Sequence, residues 1–334
     1  MSLDKHLMIL VGLCTALAAC ETEPTGPGAM PREAPSGAPS VMMASNSWSL
    51  KQSLSPWRQS MAAGTINGTI YVVGGWRRDQ TALARVDAYN VASNTWSQVA
   101  SLPQARVDPH GATVINGKLY VVGGRNNENA LTKTLFVYTP GTNTWARRAD
   151  APVAGCGGAQ GMIGGQLYVY TARAACLQAT GQTGTSTMGE FFRYKPVTNM
   201  WTRRATPPHD HWGGVAGVIN GKLYVAAGLS TATLDVYDPA TNMWATKAPL
   251  AHPRTQAVGT MLNGKLVVAG GSQEFEVATV EFYDPMSNMW TMKAPLPNAF
   301  ADGAAAAAGG KLFAIEGVTV TREPGPSRVY AYSP

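Results

Sequence analysis

Tryptophan recurs at Trp48, Trp96, Trp145, Trp201, Trp244 and Trp290, with gaps of 48, 49, 56, 43 and 46 residues. A second marker keeps the same period. Two-residue turn pairs stand at Asn67-Gly68, Asn116-Gly117, Gly164-Gly165, Asn220-Gly221, Asn263-Gly264 and Gly309-Gly310, spaced by 49, 48, 56, 43 and 46 residues. Two independent markers with one period of roughly 40–50 residues restrict the chain to a repeat architecture, either a ring of β-blades or a solenoid. Each unit reads as four strands. A Gly/Ala-rich strand enters an Asn-Gly pair, whose left-handed backbone suits a tight hairpin. An apolar strand such as Lys118-Leu119-Tyr120-Val121-Val122 follows and ends in Gly123-Gly124. After a variable loop, a third strand ends in tyrosine, as in Leu234-Asp235-Val236-Tyr237. The segment Asp238-Pro239-Ala240-Thr241-Asn242 then turns the chain into a fourth strand carrying Trp244. Thirty-six glycines fit such a chain of short strands and tight turns.

The ends of the repeat show how it closes. Tyrosine and tryptophan lie seven residues apart in five units, Tyr89 to Trp96 through Tyr283 to Trp290. The last unit stops at Tyr332-Ser333-Pro334 without its Trp strand, while Ala44-Ser45-Asn46-Ser47-Trp48 has no unit before it. Joining the two restores the spacing and nearly duplicates Ala92-Ser93-Asn94-Thr95-Trp96. The N-terminal strand is therefore predicted to pair with the C-terminal blade, which removes the free sheet edges of an open array.

The double glycine, the tyrosine and the tryptophan at these spacings resemble the kelch repeat, and the resemblance covers residues 44–334. It implies an all-β, six-bladed kelch-type β-propeller. Repeat three departs from the pattern, with Thr171-Ala172 at the glycine positions. Repeats four and six keep only Gly228 and Gly317. The resemblance also implies two kinds of activity. Kelch propellers act as interaction modules, and they include exported sialic-acid mutarotases and galactose oxidases. No copper set of Tyr, Cys and His supports the oxidase.

Residues 1–19 read as a lipoprotein signal peptide. Lys5 precedes an apolar run, Leu7 to Leu17, that is too short to span a bilayer. It ends in Leu17-Ala18-Ala19-Cys20, which resembles a bacterial lipobox and makes Cys20 the lipidated residue. Glu21 after the cysteine implies outer-membrane sorting, with the membrane reached by the lipid anchor. Residues 20–43 hold Pro24, Pro27, Pro31, Pro35 and Pro39 and read as a tether.

Strand order puts the Asn-Gly and Asp-Pro turns on one rim and the variable loops on the other, where binding residues of a rigid scaffold usually sit. Arg58, Arg106, His110, His209, His211, His252 and Arg254 lie in or just before first strands, near that rim, and Asp108, Asp210 and Asp302 are close in sequence. Such a mouth suits an anionic group held by charge-assisted hydrogen bonds; the same residues equally suit capping of strand ends. His209-Asp210-His211 lacks a Cys or a His-x-x-x-His partner, so no metal site is assigned. Glu316 is the one carboxylate singled out as a general base. The Gly/Thr/Ser-rich stretch Thr171 to Thr187 reads as a partial lid. Basic residues three positions after tryptophan, Lys51, Arg148, Arg204, Lys247 and Lys293, protect the outer edges or attract anions. Cys156 and Cys176 face each other across one hairpin and are candidates for a disulfide.

No phosphate-binding loop, dinucleotide fingerprint, Ser-His-Asp set or zinc motif is present, so no cofactor is implied. The net charge of +6 favours anionic surfaces in general and assigns no specific nucleic acid. The chain is expected to be an envelope lipoprotein that binds a protein or glycan ligand, anionic ones included, without catalysis. The alternative is a mutarotase-like isomerase of sugar acids.

Overall fold

Six four-stranded antiparallel sheets succeed one another along the chain in the computed structural model. It describes residues 45–172, Cys176, 189–321 and 325–334. These belong to one unit, Met43–Pro334. The signal peptide, Cys20, the tether and most of the Thr171 to Thr187 stretch lie outside the described residues.

Blade 1 comprises Ala62–Ile66, Thr69–Val73, Val86–Asn90 and Thr95–Val99. Blades 2 to 5 repeat this order from Ala112–Ile115, Ala159–Ile163, Val215–Ile219 and Val258–Leu262 as their innermost strands. Blade 6 takes three strands from the C-terminus, Ala304–Ala308, Lys311–Ile315 and Ser327–Ser333, and its outermost from the N-terminus, Ser47–Leu54. Trp48 pairs with Tyr332 and Leu50 with Tyr330 in that register. The turn pairs adopt the left-handed backbone expected of type I′ hairpins, as in Asn67 (φ 48°) and Gly68 (φ 76°).

Strand alternation sends side chains to both faces of each blade, and neighbouring blades bury these faces against each other. Between blades 1 and 2, Tyr71, Val73 and Ala88 meet Leu119, Val121 and Phe136. Equivalent apolar layers fill the other five junctions, including blade 6 against blade 1, where Phe313 and Ile315 meet Ile70 and Val72. Glycine in the middle of an inner strand allows this approach. A Cβ on Gly64 would fall 2.5 Å from the Ala112 carbonyl oxygen, and one on Gly161 2.6 Å from Leu223 Cδ1.

The repeated tyrosine, asparagine and tryptophan form one device at every junction. In blade 2 the Tyr138 hydroxyl donates to Asn143 Oδ1 (2.8 Å), which also accepts the Ala100 backbone N–H (2.9 Å), while Trp145 Nε1 donates to the Ala100 carbonyl (2.8 Å). One residue of the preceding blade is thus held by both backbone groups. Asn94 and Trp96 hold Gln52 in the same way. At the closing junction Asn46 and Trp48 hold Ala294, at 3.0 and 2.9 Å. The ring therefore closes with the bonds used at its other junctions.

Cys156 and Cys176 are bridged, with Cα atoms 5.7 Å apart. The cross-linked segment spans 20 residues, so reduction is expected to lower stability by about 3 kcal/mol through the entropy restored to the unfolded chain. Melting with and without reductant measures it. Two free thiols in the unreduced, denatured protein would contradict the bridge.

Candidate functional site

The chain enters each inner strand through a residue in the left-handed region: Ser60 (φ 56°), Asp108 (47°), Gly157 (59°), Gly213 (67°), Gln256 (53°) and Asp302 (59°). Their backbones are linked from blade to blade. Ser60 N–H donates to the Asp302 carbonyl (2.7 Å), Asp108 to Ser60 (2.9 Å), Gly157 to Asp108 (2.8 Å), Gly213 to Gly157 (2.7 Å) and Asp302 to Gln256 (2.9 Å). Between blades 4 and 5 the Thr255 hydroxyl donates to the Trp212 carbonyl (3.1 Å). This belt rings the mouth of a central cavity of about 450 Å³ that all six inner strands line.

Two residues before the belt position stand Arg58, Arg106, Gly155, His211, Arg254 and Phe300. The three arginines and His211 are fully buried, and their partners lie within their own blades. Arg58 donates to the Gly74 and Arg85 carbonyls (3.2 and 3.3 Å) and pairs with Asp87. Arg254 repeats this on the Gly270 and Thr279 carbonyls (3.3 and 3.2 Å) and on Glu281. His211 does so with a shorter side chain, Nδ1 facing the Ala227 carbonyl (2.7 Å) and Nε2 facing Asp235 (3.1 Å). Asp87, Glu281 and Asp235 occupy one position of the third strand, opposite Val72, Val268 and Val225. Blade 2 has Phe136 there, and the Arg106 guanidinium lies 5.3 Å from its ring and donates to Thr134. Burial, opposed by Asp87, lowers the Arg58 pKa, and burial opposed by Glu281 lowers that of Arg254. Burial and the nearby Arg147 bring Arg106 to about 10.

Of the residues expected to line the mouth, Arg58, Arg106, His209, His211, His252 and Arg254 are absent from the cavity lining and His110 is part of it. Arg58, His211 and Arg254 latch the third strand to the corner after the second strand in blades 1, 4 and 5, Arg106 bonds Thr134 in blade 2, and none of the four lines the cavity. The remaining histidines separate. His110 is buried between blades 2 and 3, accepts the Gly158 N–H at Nδ1 (3.1 Å), and is pushed by burial to about 3, so it stays neutral. His209 is part-exposed with Nδ1 on Asp235 (2.9 Å), and His252 is exposed. Asp210 accepts the Tyr170 hydroxyl (2.9 Å), away from both flanking histidines' partner. Among the described residues no cluster of metal-ligand type occurs. Glu316 is also engaged: it accepts from Asn298 (3.1 Å), from the Tyr330 hydroxyl (3.4 Å) and from the Arg328 N–H (3.3 Å). It does not line the cavity.

The polar and aromatic groups that line the cavity include Ser60, Asp108, His110, Gln160, Trp212, Gln256 and Asp302, so of the predicted binding residues His110 does reach it. Asp108 pairs with Arg125. Ser60 Oγ donates to Asp302 Oδ2 (2.5 Å), and burial together with the charge of Asp108 pushes the Asp302 carboxyl up to about 7. A carboxyl raised in the folded state binds its proton more tightly there than in the unfolded chain. Stability therefore falls as pH rises from about 4, the unfolded value, through 7. Asp302→Asn is expected to raise the melting temperature above pH 7 and to leave it nearly unchanged at pH 4.

Sequence reasoning noted these aspartates without placing them at the site, and it missed the remaining tryptophans. Six of the nine tryptophans are used by the junction device. The others, Trp57, Trp76 and Trp212, sit half-buried on the variable-loop side. Arg78 lies 4.3 Å over the Trp57 ring and Arg125 5.7 Å over Trp76. The signal was available, since these three fall outside the Trp period.

Comparisons with known proteins agree with this fold. Residues 40–228, more than half of the chain, match the family model described as the KLHDC2/KLHL20/DRC7 Kelch-repeats domain, and residues 253–297 match the Kelch motif. A solved structure titled "Structure of YjhT" superposes with a TM-score of 0.67 at 17% identity, covering 84% of this chain and 95% of that one. This shows the fold alone. No curated protein matches significantly.

Proposed function

The chain belongs to the kelch-repeat family, and from that premise we propose that it is a non-enzymatic binding module whose ligand, a saccharide or a protein segment, rests on the variable-loop rim over the cavity mouth. One observation carries the reading. Trp212, free of the repeat, lines the cavity mouth with Asp108, Gln256 and Asp302, and Trp57 and Trp76, also free of it, stand half-buried just before Arg58 and just after Gly75. Flat aromatic faces beside carboxylate and amide groups suit polar ligands with apolar faces. The latch arginines do not line the cavity, whereas Asp108 and Asp302 do, which favours a neutral or cationic ligand over an anionic one. A glycan array with the soluble unit, residues 43–334, tests this. Binding of neutral or amino sugars, weakened tenfold or more by Trp212→Ala, is the expected result; binding confined to acidic glycans and indifferent to Trp212 would refute it.

The same reading places the propeller on the cell envelope, most simply the outer membrane, through acylated Cys20. Palmitate labelling and membrane recovery should both be lost in Cys20→Ser, and a mutant that still labels would refute the anchor. A second reading, an isomerase of the sugar-acid mutarotase kind, is favoured by the Asp302 carboxyl, which exchanges its proton near neutrality beside Ser60. It predicts accelerated anomer exchange that Asp302→Asn abolishes, measured by NMR on candidate sugars. In that case Asp302 replaces Glu316 as the acid–base group.

A further inference from the structure

The fourth strand of each blade begins one residue after the junction asparagine, and the residue there divides the ring in two. Ser47, Thr95 and Thr144 open the strand in blades 6, 1 and 2, whereas Met200, Met243 and Met289 open it in blades 3, 4 and 5. The three methionines are 63%, 65% and 62% exposed. The turn two residues before the asparagine repeats the division. Ala92 and Gly141 of blades 1 and 2 correspond to Val197 in blade 3, Ala240 in blade 4 and Met286 in blade 5. Val197 and Met286 are 91% and 96% exposed. The fold does not call for these side chains. All six junction tryptophans donate to the preceding blade, whether serine, threonine or methionine stands before them. Exposed apolar side chains gathered on consecutive blades mark a contact surface, and methionine, unbranched and polarisable, suits one without a rigid shape.

Strand register puts the set on one rim. Met200 pairs with Lys195, Met243 with Asp238 and Met289 with Asp284. Lys222, which follows the Asn220-Gly221 hairpin, bridges to Asp238 (2.7 Å). This is the rim of the hairpin turns, opposite the variable loops. Between blades 4 and 5 it opens into a groove of about 450 Å³ whose lining includes Met243, Met286, Trp244, Tyr283 and Lys222.

Charge and chain path distinguish the occupants of such a face. Lys118, Lys222, Lys265 and Lys311 each follow a hairpin turn, and Lys195 ends the third strand of blade 3. The acidic side chains of this rim, among the described residues, are Asp238 and Asp284, and they are already paired with Lys222 and Lys265. The rim is therefore basic, which opposes its contact with a second copy of itself and favours an anionic surface. The chain also enters the propeller here. Ser45, the first described residue, precedes Asn46, whose side chain holds Ala294 of blade 5. Residues 1–44, with Cys20, are thus joined to the propeller at this rim, beside its methionine half.

We propose that Val197, Met200, Met243, Met286 and Met289 dock the propeller on the anionic lipid surface of the membrane that holds the anchor, the apolar side chains entering the headgroup region and the lysines meeting lipid phosphates. This docking rests on the envelope reading above and adds an orientation to it: the variable loops and Trp212 face away from the membrane, open to a ligand. Apolar side chains flanked by lysines hold a folded surface in the interface plane without spanning the bilayer.

Every strand of the ring lies within residues 47–333, so the test uses the unit of residues 43–334. It lacks Cys20, so the anchor and the docking fail separately. Co-sedimentation is measured with vesicles of phosphatidylcholine and with an equimolar mixture of phosphatidylcholine and phosphatidylglycerol. The comparison is a variant with Met200→Thr, Met243→Thr and Met289→Thr, the residue of blades 1 and 2, together with Val197→Ala and Met286→Ala, the residue of blades 1 and 4. The parent is expected to bind the mixed vesicles about tenfold more tightly than the variant does, and about tenfold more tightly than it binds phosphatidylcholine alone. Hydrogen exchange of the unaltered unit, which needs no variant to fold, should slow at residues 197–200, 240–243 and 286–289 when mixed vesicles are added. Absence of binding by the parent, equal binding by parent and variant, equal binding to the two vesicles, or slowing confined to the variable loops overturns the proposal. A dimer of the parent that the variant loses, read by analytical ultracentrifugation without lipid, also overturns it and gives the face to a second copy.

Discussion

Removing residues 43–54 from the soluble unit is expected to abolish cooperative folding, whereas beginning the chain at residue 43 leaves it intact. The lost strand, Ser47–Leu54, is the outer strand of blade 6. With it go the backbone pairing to Ser327–Ser333, the fully buried Leu54, and the Trp48 ring packed 5.1 Å from Tyr332. Two junctions also lose their clamps. Ala294 loses Asn46 and Trp48, and Asn94 and Trp96 of blade 1 lose Gln52, the residue they hold. Deleting a buried leucine side chain such as Leu54 alone typically costs about 2–5 kcal/mol. Adding the strand pairing and two junctions brings the loss to the scale of a domain's entire stability, about 5–15 kcal/mol. Thermal melts of the two truncations measure it, and equal midpoints would show that the N-terminal strand does not close the ring.

Arg254→Ala is expected to destabilise the propeller by about 3–5 kcal/mol, because it strands the buried Glu281 carboxylate and frees two carbonyls at the glycine corner. A surface role for Arg254 would predict an effect within about 0.5 kcal/mol. The charge pair itself is replaceable. Blade 6 carries Phe300, buried, at the latch position and Tyr330 opposite the equivalent of Val268. The double variant Arg254→Phe with Glu281→Tyr should therefore recover part of the loss, since a buried pair exchanged for apolar groups is often neutral. Urea denaturation of the two singles and the double gives the coupling. Additive effects would show that the arginine and glutamate do not act as a pair.

The expectation that these arginines and histidines converge on a ligand rests on their nearness to first strands, and of them Arg58, Arg106, His211 and Arg254 share one place in the repeat. What the repeat also contained, and was not used, is the acid: Asp87, Asp235 and Glu281 occur in the same three blades that carry Arg58, His211 and Arg254. Each partner lies 24 to 29 residues away on another strand. The matching is visible only when whole units are aligned position by position and the occupants of two columns are compared. Asn94 and its equivalents were legible as turn residues. Their grip on the preceding blade was not, because a turn asparagine suits the left-handed backbone whether or not its side chain reaches across.

The sequence by itself determined the number of blades, the strand order within each and the closure of the ring. Those features follow from local signals, paired turn residues and period-2 strands, repeated often enough that one register alone keeps tryptophan, tyrosine and turn in step. The tertiary structure decided which polar residues are spent on the fold and which remain for a ligand. The belt at the mouth is built from Ser60, Asp108, Gly157, Gly213, Gln256 and Asp302, which share a backbone conformation and no side-chain chemistry. A backbone hydrogen bond between blades leaves no mark on residue type. Burial of a charge depends on whether a partner reaches it, and that is settled only when the strands are side by side.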